Sequence, residues 1–250
     1  MFAAKFSPFI MNTSKLKQLC KIDNISYNQV VSVMNWKKPP SVDDVEFPEK
    51  RKLKVIDRSP YFSGQNQDPP MKFMKRLRDM RGPELIHNKL QYGEYGIQAT
   101  CGGKMRWGHL EMIRMSIVRG MRDTRMFAIW RVETPWKAVG KKGLGQRMGG
   151  GKSPIDHYVY PVKAQRIIME VGGVTDIDEV NHILKQAAAS LPFQARVVSH
   201  EILEREAEKE KYIEENNINP FSFKDSIRKN YLGCKTWISP FDFKWDGKYK

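Results

Sequence analysis

The chain has 250 residues, of which 28% are charged and 40% are apolar, as is typical of one globular domain with extensions. No stretch approaches the roughly 20 apolar residues that a membrane-spanning helix needs, which argues against an integral membrane protein. The formal net charge of +15 favours a polyanionic partner, nucleic acid before an anionic membrane, with a merely soluble basic protein as the alternative.

The positive charge is concentrated in about the middle third of the chain. Between Met71 and Lys152, 18 Lys and Arg residues stand against six Asp and Glu residues. The segment from His200 to Asn217, by contrast, holds seven Glu and only three basic residues. This asymmetry predicts that one side of the molecule faces an anionic surface.

The first 22 residues contain four Lys and no acidic residue. This pattern is typical of a mitochondrial transit peptide, which we predict over residues 1–34, with a disordered basic tail as the alternative. Residues 35–70 contain six prolines, which interrupt regular elements. We therefore predict an extended arm over residues 35–70 that buries little and becomes ordered only against a partner.

A compact domain is predicted over residues 71–200, and its first half is expected to contain three regular elements and a loop. Alternation over 95–101 predicts a strand that ends at Gly102–Gly103. Apolar residues at Leu110, Ile113, Ile117 and Met121 predict an amphipathic helix whose other face carries arginines. A second strand over 126–133 is followed by a loop of Gly and Lys from Gly140 to Ser153.

The second half of this region adds two strands, a helix and a last strand. Residues 158–162 and 166–171 predict strands, and the apolar spacing from Val180 to Leu191 predicts a helix that Pro192 ends. Residues 194–199 predict the final strand. The order β-α-β-loop-β-β-α-β is that of a compact α+β domain.

Residues 201–250 are predicted to form a C-terminal extension. Ile202 to Ile213 predict a charged helix with a solvated face. Eight aromatic residues follow among Lys and Gly without a clean period. They are expected to dock on a neighbouring protein or on RNA, or else to pack back on their own domain.

The segment from Ala138 to Ser153 is the most informative of the chain. Its glycines allow a backbone to approach phosphate closely, and its Lys and Arg residues supply neutralising charge. It fails the P-loop pattern by one residue and lacks the helix that should follow, and it also fails the dinucleotide-binding pattern. A mobile basic finger that reaches along an RNA backbone is the favoured interpretation, and a flexible surface loop without a partner is the alternative.

Signals for catalysis, metals and cofactors are weak. The five histidines show no metal-ligand spacing, and the three cysteines form no C-x-x-C pair, which argues against zinc and against a disulfide framework. Asp156–His157 is an adjacent pair without a nucleophile nearby in sequence. We therefore expect no enzyme activity, no cofactor and no metal, and a reducing compartment.

Several motifs resemble a known family in their order along the chain. These are Tyr92-Gly-Glu-Tyr-Gly-Ile, the arginine-bearing helix, Phe127-Ala-Ile-Trp-Arg-Val, Gln146-Arg-Met-Gly-Gly-Gly-Lys and Ala187-Ala-Ala-Ser-Leu-Pro. Together they resemble the universal large-subunit ribosomal protein sixteen family, the bacterial L-sixteen type. The extensions, with the ending Ser239-Pro-Phe-Asp and Gly247-Lys-Tyr, are similar to its mitochondrial branch. The resemblance covers about Met74 to Ser199.

The resemblance implies an α/β hammerhead-like fold and a role as a structural constituent of the mitochondrial large ribosomal subunit, in the mitochondrial matrix. It implies contact with large-subunit rRNA, with neighbouring ribosomal proteins and with the A-site tRNA region near the peptidyl transferase centre. A free-standing mitochondrial RNA-binding protein or ribosome maturation factor is the alternative. Bacterial members usually have Lys at the position of Gly150 and Gly at that of Ser153.

Two sets of site residues follow from this interpretation. The tRNA-proximal loop is expected to comprise Arg147, Met148, Gly149, Gly150, Gly151 and Lys152. The basic residues expected to bind rRNA are Lys72, Lys75, Arg76, Arg78, Arg81, Lys104, Arg106, Arg114, Arg119, Arg122, Lys137, Lys141 and Lys142. Contacts of the helix arginines are expected to be with the RNA backbone rather than with bases.

Overall fold

The computed structural model describes residues 45–60, 76–219 and 221–249. Seven strands and five α-helices make up the regular structure of these residues. The strands are β1 Tyr95–Ala99, β2 Gly103–Arg106, β3 Met126–Trp130, β4 Lys137–Gly140, β5 Ile155–Val162, β6 Ile167–Gly173 and β7 Ala195–Ser199. The helices are α1 Trp107–Gly120, α2 Ile177–Ala189, α3 His200–Glu215, α4 Phe223–Arg228 and α5 Pro240–Trp245, with 3₁₀ turns at Leu77–Asp79 and Tyr231–Thr236.

The larger sheet has four antiparallel strands in the order β3-β6-β1-β7. Tyr95 of β1 lies opposite Val171 of β6 on one side and opposite Ser199 of β7 on the other. Every residue of β6 is buried, as is expected for a central strand that is covered on both faces.

The smaller sheet has three antiparallel strands in the order β2-β5-β4. Met105 of β2 lies opposite Tyr160 of β5, and Val139 of β4 lies opposite His157 of β5. Because β4 and β5 are paired neighbours in the chain, they form a hairpin. The Gly-rich segment, residues 141–154, is the connection at its tip.

One hydrophobic core joins both sheets to α1 and α2. The apolar stripe of α1 (Leu110, Ile113, Ile117) and that of α2 (Val180, Leu184, Ala187) are buried in it, at the 3.6-residue period that the sequence predicts. Met105 of the smaller sheet and Met169 of the larger one belong to the same core. The two sheets are therefore held as one body, which fixes where the hairpin projects. No helix in the described part of the chain is long and apolar enough to cross a membrane.

Residues 45–60 pack on the domain, which differs from the expectation that the predicted arm buries little. Leu53 is 3% exposed and belongs to the core. The Trp107 indole N–H donates to the carbonyl of Ile56 at 2.7 Å, and the Trp130 indole N–H donates to that of Lys54 at 2.8 Å. These two donors satisfy backbone carbonyls in a segment that forms no strand.

Some C-terminal residues pack back on the domain, and others are exposed. Trp245 packs against Gly82, where an added Cβ would lie 2.8 Å from the indole Nε1 and φ is +87°, so only glycine fits. Ile227 and Cys234 are also buried. Other apolar side chains of the extension remain largely exposed: Phe221, Phe223, Leu232, Trp237 and Phe243.

The α+β class is confirmed, whereas the element order is longer than the sequence suggested. β2 and β4 were not predicted, because each has only four residues and β2 begins at Gly103, a residue that is typical of the end of a strand. The predicted strand over 126–133 ends at Trp130. The charged helix is present as α3 and extends to Glu215.

Candidate nucleic-acid interface

The tip of the β4–β5 hairpin is the most exposed backbone near the predicted site. Leu144 and Met148, whose side chains would normally seek burial, are almost fully exposed there. Gly149, Gly150 and Gly151 adopt φ values of +105°, +69° and +85°, and no atom lies within 4 Å of a Cβ built on any of them. The backbone of the tip is therefore open to a partner and depends on glycine for its shape.

Lys142 organises this tip from within. Its ammonium donates to the carbonyl of Gly149 at 2.9 Å and to that of Arg147 at 3.3 Å. In this structure Lys142 therefore stabilises the loop through these two hydrogen bonds instead of extending toward rRNA as expected. Arg147, Lys141 and Lys152 lie on the exposed surface around it.

A second cationic group lies on β2 beside the hairpin. Lys104 and Arg106 are exposed and flank the fully buried Met105, so their side chains share the outer face of the sheet. They lie opposite Pro161 and Val159 of β5, the strand that leads out of the hairpin tip. Lys104 and Arg106 thus stand at the base of the projection whose tip carries Arg147.

Two of the three predicted helix arginines are exposed. Arg119, in the last turn of α1, and Arg122, two residues after the helix, are exposed, and the acidic partner of Arg122, Glu179, is 3.9 Å away. Arg114 differs, because its side chain is about 20% exposed and its Nε donates to Glu111 at 2.9 Å. The hydrogen bond from Arg114 lowers the pKa of Glu111, which remains ionised and paired.

Lys137 is the clearest departure from the predicted set. Its side chain is 6% exposed and its ammonium forms an ion pair with Asp79 of the first 3₁₀ turn. An ammonium enclosed in this way cannot reach an RNA phosphate without leaving its partner unpaired. Lys137 therefore ties residues 77–79 to β4 and is removed from the candidate interface.

The remaining predicted cations lie near the first 3₁₀ turn. Arg76 and Arg78 are exposed, and Arg81 is half-buried. Lys72 and Lys75 lie outside the described residues. Of the described cations, those of the hairpin, of β2 and of the first 3₁₀ turn lie around the smaller sheet, whereas Arg122 lies 3.9 Å from Glu179 of α2. The loop itself contains no acidic residue.

Comparison with known proteins identifies the family. Residues 69–198 match the model of the family described as Ribosomal protein L16p/L10e. The chain belongs to this family. It is 36% identical over 123 residues to the large ribosomal subunit protein uL16 of Coprothermobacter proteolyticus, covering 49% of this chain and 89% of the relative. It is 34% identical over 122 residues to uL16 of Levilactobacillus brevis, covering 49% and 83%.

The family match coincides with the structural core and the basic surface. We call residues 69–198 the family domain. It contains both sheets apart from Ser199, the hairpin and both core helices, whereas residues 45–60 and the elements from α3 onwards lie outside it. The predicted resemblance to the L-sixteen family is thus confirmed, and the relatives carry the names of ribosomal proteins rather than of enzymes.

Within the family domain, a buried carboxylate holds the loop before β1, and sequence reasoning missed it. Glu170 is 0% exposed, and its Oε2 accepts the backbone N–H groups of Gln91, Tyr92 and Gly93 at 3.1, 2.7 and 3.0 Å. Its Oε1 lies 3.1 Å from Nε of Arg131. The signal in the sequence is a single acidic residue inside the apolar run of 167–171.

A buried arginine next to this carboxylate connects the two sheets. Arg166 donates to the carbonyl of Arg131 at 2.7 Å and to the hydroxyl of Tyr160 at 3.1 Å. Burial raises the pKa of Tyr160, so the hydroxyl remains protonated. These contacts are structural, and among the described residues no group of three or more His, Cys, Asp or Glu could hold a metal ion.

Proposed function

We propose that this protein is a structural constituent of the mitochondrial large ribosomal subunit that binds large-subunit rRNA near the peptidyl transferase and A-site tRNA cleft. The proposal rests on one observation: the segment that matches the family is also the part of the chain with the largest excess of basic residues. The family domain holds 22 Lys and Arg against 11 Asp and Glu, and its relatives are named as large-subunit proteins.

The geometry supports binding through phosphate neutralisation and shape rather than through base reading. The exposed cations come from the hairpin, from β2, from the end of α1 and from the first 3₁₀ turn, so one folded RNA surface can meet several of them at once. The residues proposed to carry these contacts are Arg76, Arg78, Arg81, Lys104, Arg106, Arg119, Arg122, Lys141, Arg147 and Lys152.

The hairpin tip is proposed to face the tRNA cleft. Arg147 can form a fork of hydrogen bonds with a phosphate, and the three glycines beside it let the backbone come close. Because the exposed side chains of the tip lie outside the core, contact with RNA there does not disturb core packing.

The mitochondrial location rests on the first 22 residues, whose four lysines and absence of acids support import. Fusion of residues 1–40 to a fluorescent reporter should carry the reporter into mitochondria. A reporter that remains in the cytosol would contradict the location and leave the ribosomal role untouched.

Cosedimentation separates this function from its alternative. A constituent of the particle sediments with the large subunit in moderate salt at a level stoichiometric with its rRNA. A free-standing RNA-binding protein or maturation factor would appear mostly in light fractions or only on precursor particles. Gradient fractions of a mitochondrial lysate, probed for this chain and for the rRNA, give the answer.

A further inference from the structure

A cleft of about 450 Å³ opens on the outer face of the smaller sheet. It lies between β2, the first turn of α1, β4 and β5, beside the base of the hairpin. Its lining combines two cations, two imidazoles and three apolar side chains: Lys104, Arg106, His109, His157, Val139, Val159 and Pro192.

Strand register places the apolar and charged groups side by side. Val159 of β5 lies opposite Arg106, and His157 lies opposite Val139, so these four residues share one face of the sheet. Val159 is 2% exposed and forms the floor. The cations stand on β2 at one side, so the cleft has an apolar bottom and a positively charged edge.

The two imidazoles are held in place by hydrogen bonds. His109 Nδ1 accepts the backbone N–H of Arg106 at 3.1 Å, and burial together with Arg106 lowers the pKa of His109. The ring is therefore neutral, with its proton on Nε2. His157 Nδ1 lies 2.8 Å from a carboxylate oxygen of Asp156, which orients the second ring.

We infer that this cleft receives one unstacked nucleotide of the rRNA, with its base against Val139, Val159 and the imidazoles and its phosphate against Lys104 and Arg106. Single-stranded RNA is commonly bound in this way, through splayed bases that stack on side chains including His, with cations on the backbone. The inference rests on the proposed ribosomal function and deepens it by naming a nucleotide subsite. The Asp156 carboxylate, braced by His157, disfavours a second phosphate at that end of the cleft.

The test fills the cleft without changing its charge. Val139→Trp places an indole in the cleft from the half-buried side of β4, and Ile218→Trp, at an exposed position outside the cleft, is the matched control. Arg106→Gln removes the phosphate contact independently and replaces an exposed side chain that the core does not use. Large subunits that contain each variant are isolated by sedimentation, and 2′-hydroxyl acylation is read along the whole large-subunit rRNA.

We expect V139W to raise the acylation of one nucleotide, or of two adjacent ones, by roughly fivefold, the change that removal of a modest stacking interaction produces. R106Q should raise the same positions, and I218W should leave them as in wild type. An unchanged profile in R106Q particles, or changes in the two variants at unrelated positions, would overturn the inference. Failure of the wild-type chain to sediment with the subunit would instead overturn the ribosomal function.

Discussion

Two projections leave the same core with opposite charge. The hairpin tip, residues 141–154, carries four basic residues and no acid, whereas α3 carries seven Glu against three basic residues and has no buried side chain. The tip lies inside the family domain, and α3 begins two residues after it ends. An RNA backbone attracts the first and repels the second, so the two projections cannot face the same RNA surface.

The projections are also held differently. The tip depends on backbone conformations that glycine permits and on the two hydrogen bonds of Lys142 to carbonyls. The base of α3 is anchored by side chains: the Ser199 hydroxyl accepts the Ile202 N–H at 3.3 Å, and Arg196 forms an ion pair with Glu206. Thus the tip depends on its glycines and on the Lys142 side chain, whereas α3, which contains no glycine, depends on side-chain contacts at its base.

Both projections depend on the core below them, and damage there should have the largest effect. Glu170→Gln leaves the Arg131 guanidinium buried beside a neutral group and weakens three hydrogen bonds from the backbone. We expect the free energy of unfolding to fall by about 3 kcal/mol or more. Chemical denaturation of the purified protein measures it. The exposed control Glu94→Gln should change this free energy by less than about 0.5 kcal/mol.

Arg147→Ala should separate function from stability. The free energy of unfolding should change by less than about 0.5 kcal/mol, as for other exposed positions, because Arg147 lies outside the core. Mitochondrial translation should nevertheless fall, since the substitution removes the charge-assisted hydrogen bond that we propose between Arg147 and a phosphate. Arg205→Ala, an exposed arginine on α3, is the matched control and should translate normally. Equal translation in the two variants would show that the tip is a passive loop.

Gly150→Ala tests the conformational demand of the tip. With φ at +69°, an added Cβ costs about 1 kcal/mol, although the space around it is open. The same strain applies to Gly150→Lys, despite the Lys that usually stands at this position in bacterial members of the family. Gly143→Ala has no such demand and serves as control. Translation rate in cells carrying each variant should fall for Gly150→Ala and stay near wild type for Gly143→Ala.

Replacing Arg119 and Arg122 together by Gln should weaken RNA binding about uniformly across sequences. The slope of log affinity against log salt should flatten by roughly one for each phosphate that the variant no longer neutralises. Binding of large-subunit rRNA fragments over a salt series measures this slope. Glu208→Gln with Glu210→Gln on α3 is the control pair. If the salt dependence stays as steep as in the wild type after both substitutions, Arg119 and Arg122 do not contact RNA.

The smallest expected effect is on the pH dependence of the free energy of unfolding. Burial and Arg106 lower the pKa of His109 in the folded state, so the unfolded chain binds a proton more readily. Stability should therefore be full above the ordinary value of about 6.5 and decline as the pH falls below it. In the His109→Gln variant, the free energy of unfolding in urea should differ less between pH 7 and pH 5.5 than it does in the wild type. The exposed His200 at the start of α3, replaced by Gln, is the control, and the same flattening there would contradict the assignment.

Helix periodicity explains why the core was predictable. The stripes of α1 and α2, the α+β class and the Gly-rich basic loop all follow from local spacing and composition, because burial of one helix face needs no knowledge of its partner. The short strands β2 and β4 did not follow, since four residues carry too little pattern and their stability comes from pairing with β5.

By itself, the sequence determined the family, the charge asymmetry and the existence of a Gly-rich basic segment, because these are properties of residue order. Only the tertiary structure decided which cations face solvent. Lys137 looks like any other basic residue in the chain, yet it is paired with Asp79, 58 residues earlier. The same holds for Glu170, whose three N–H donors come from about 80 residues earlier in the chain. Partners distant in sequence decide whether a charge braces the fold or meets RNA, since the cost of burial makes every enclosed charge require a counterpart.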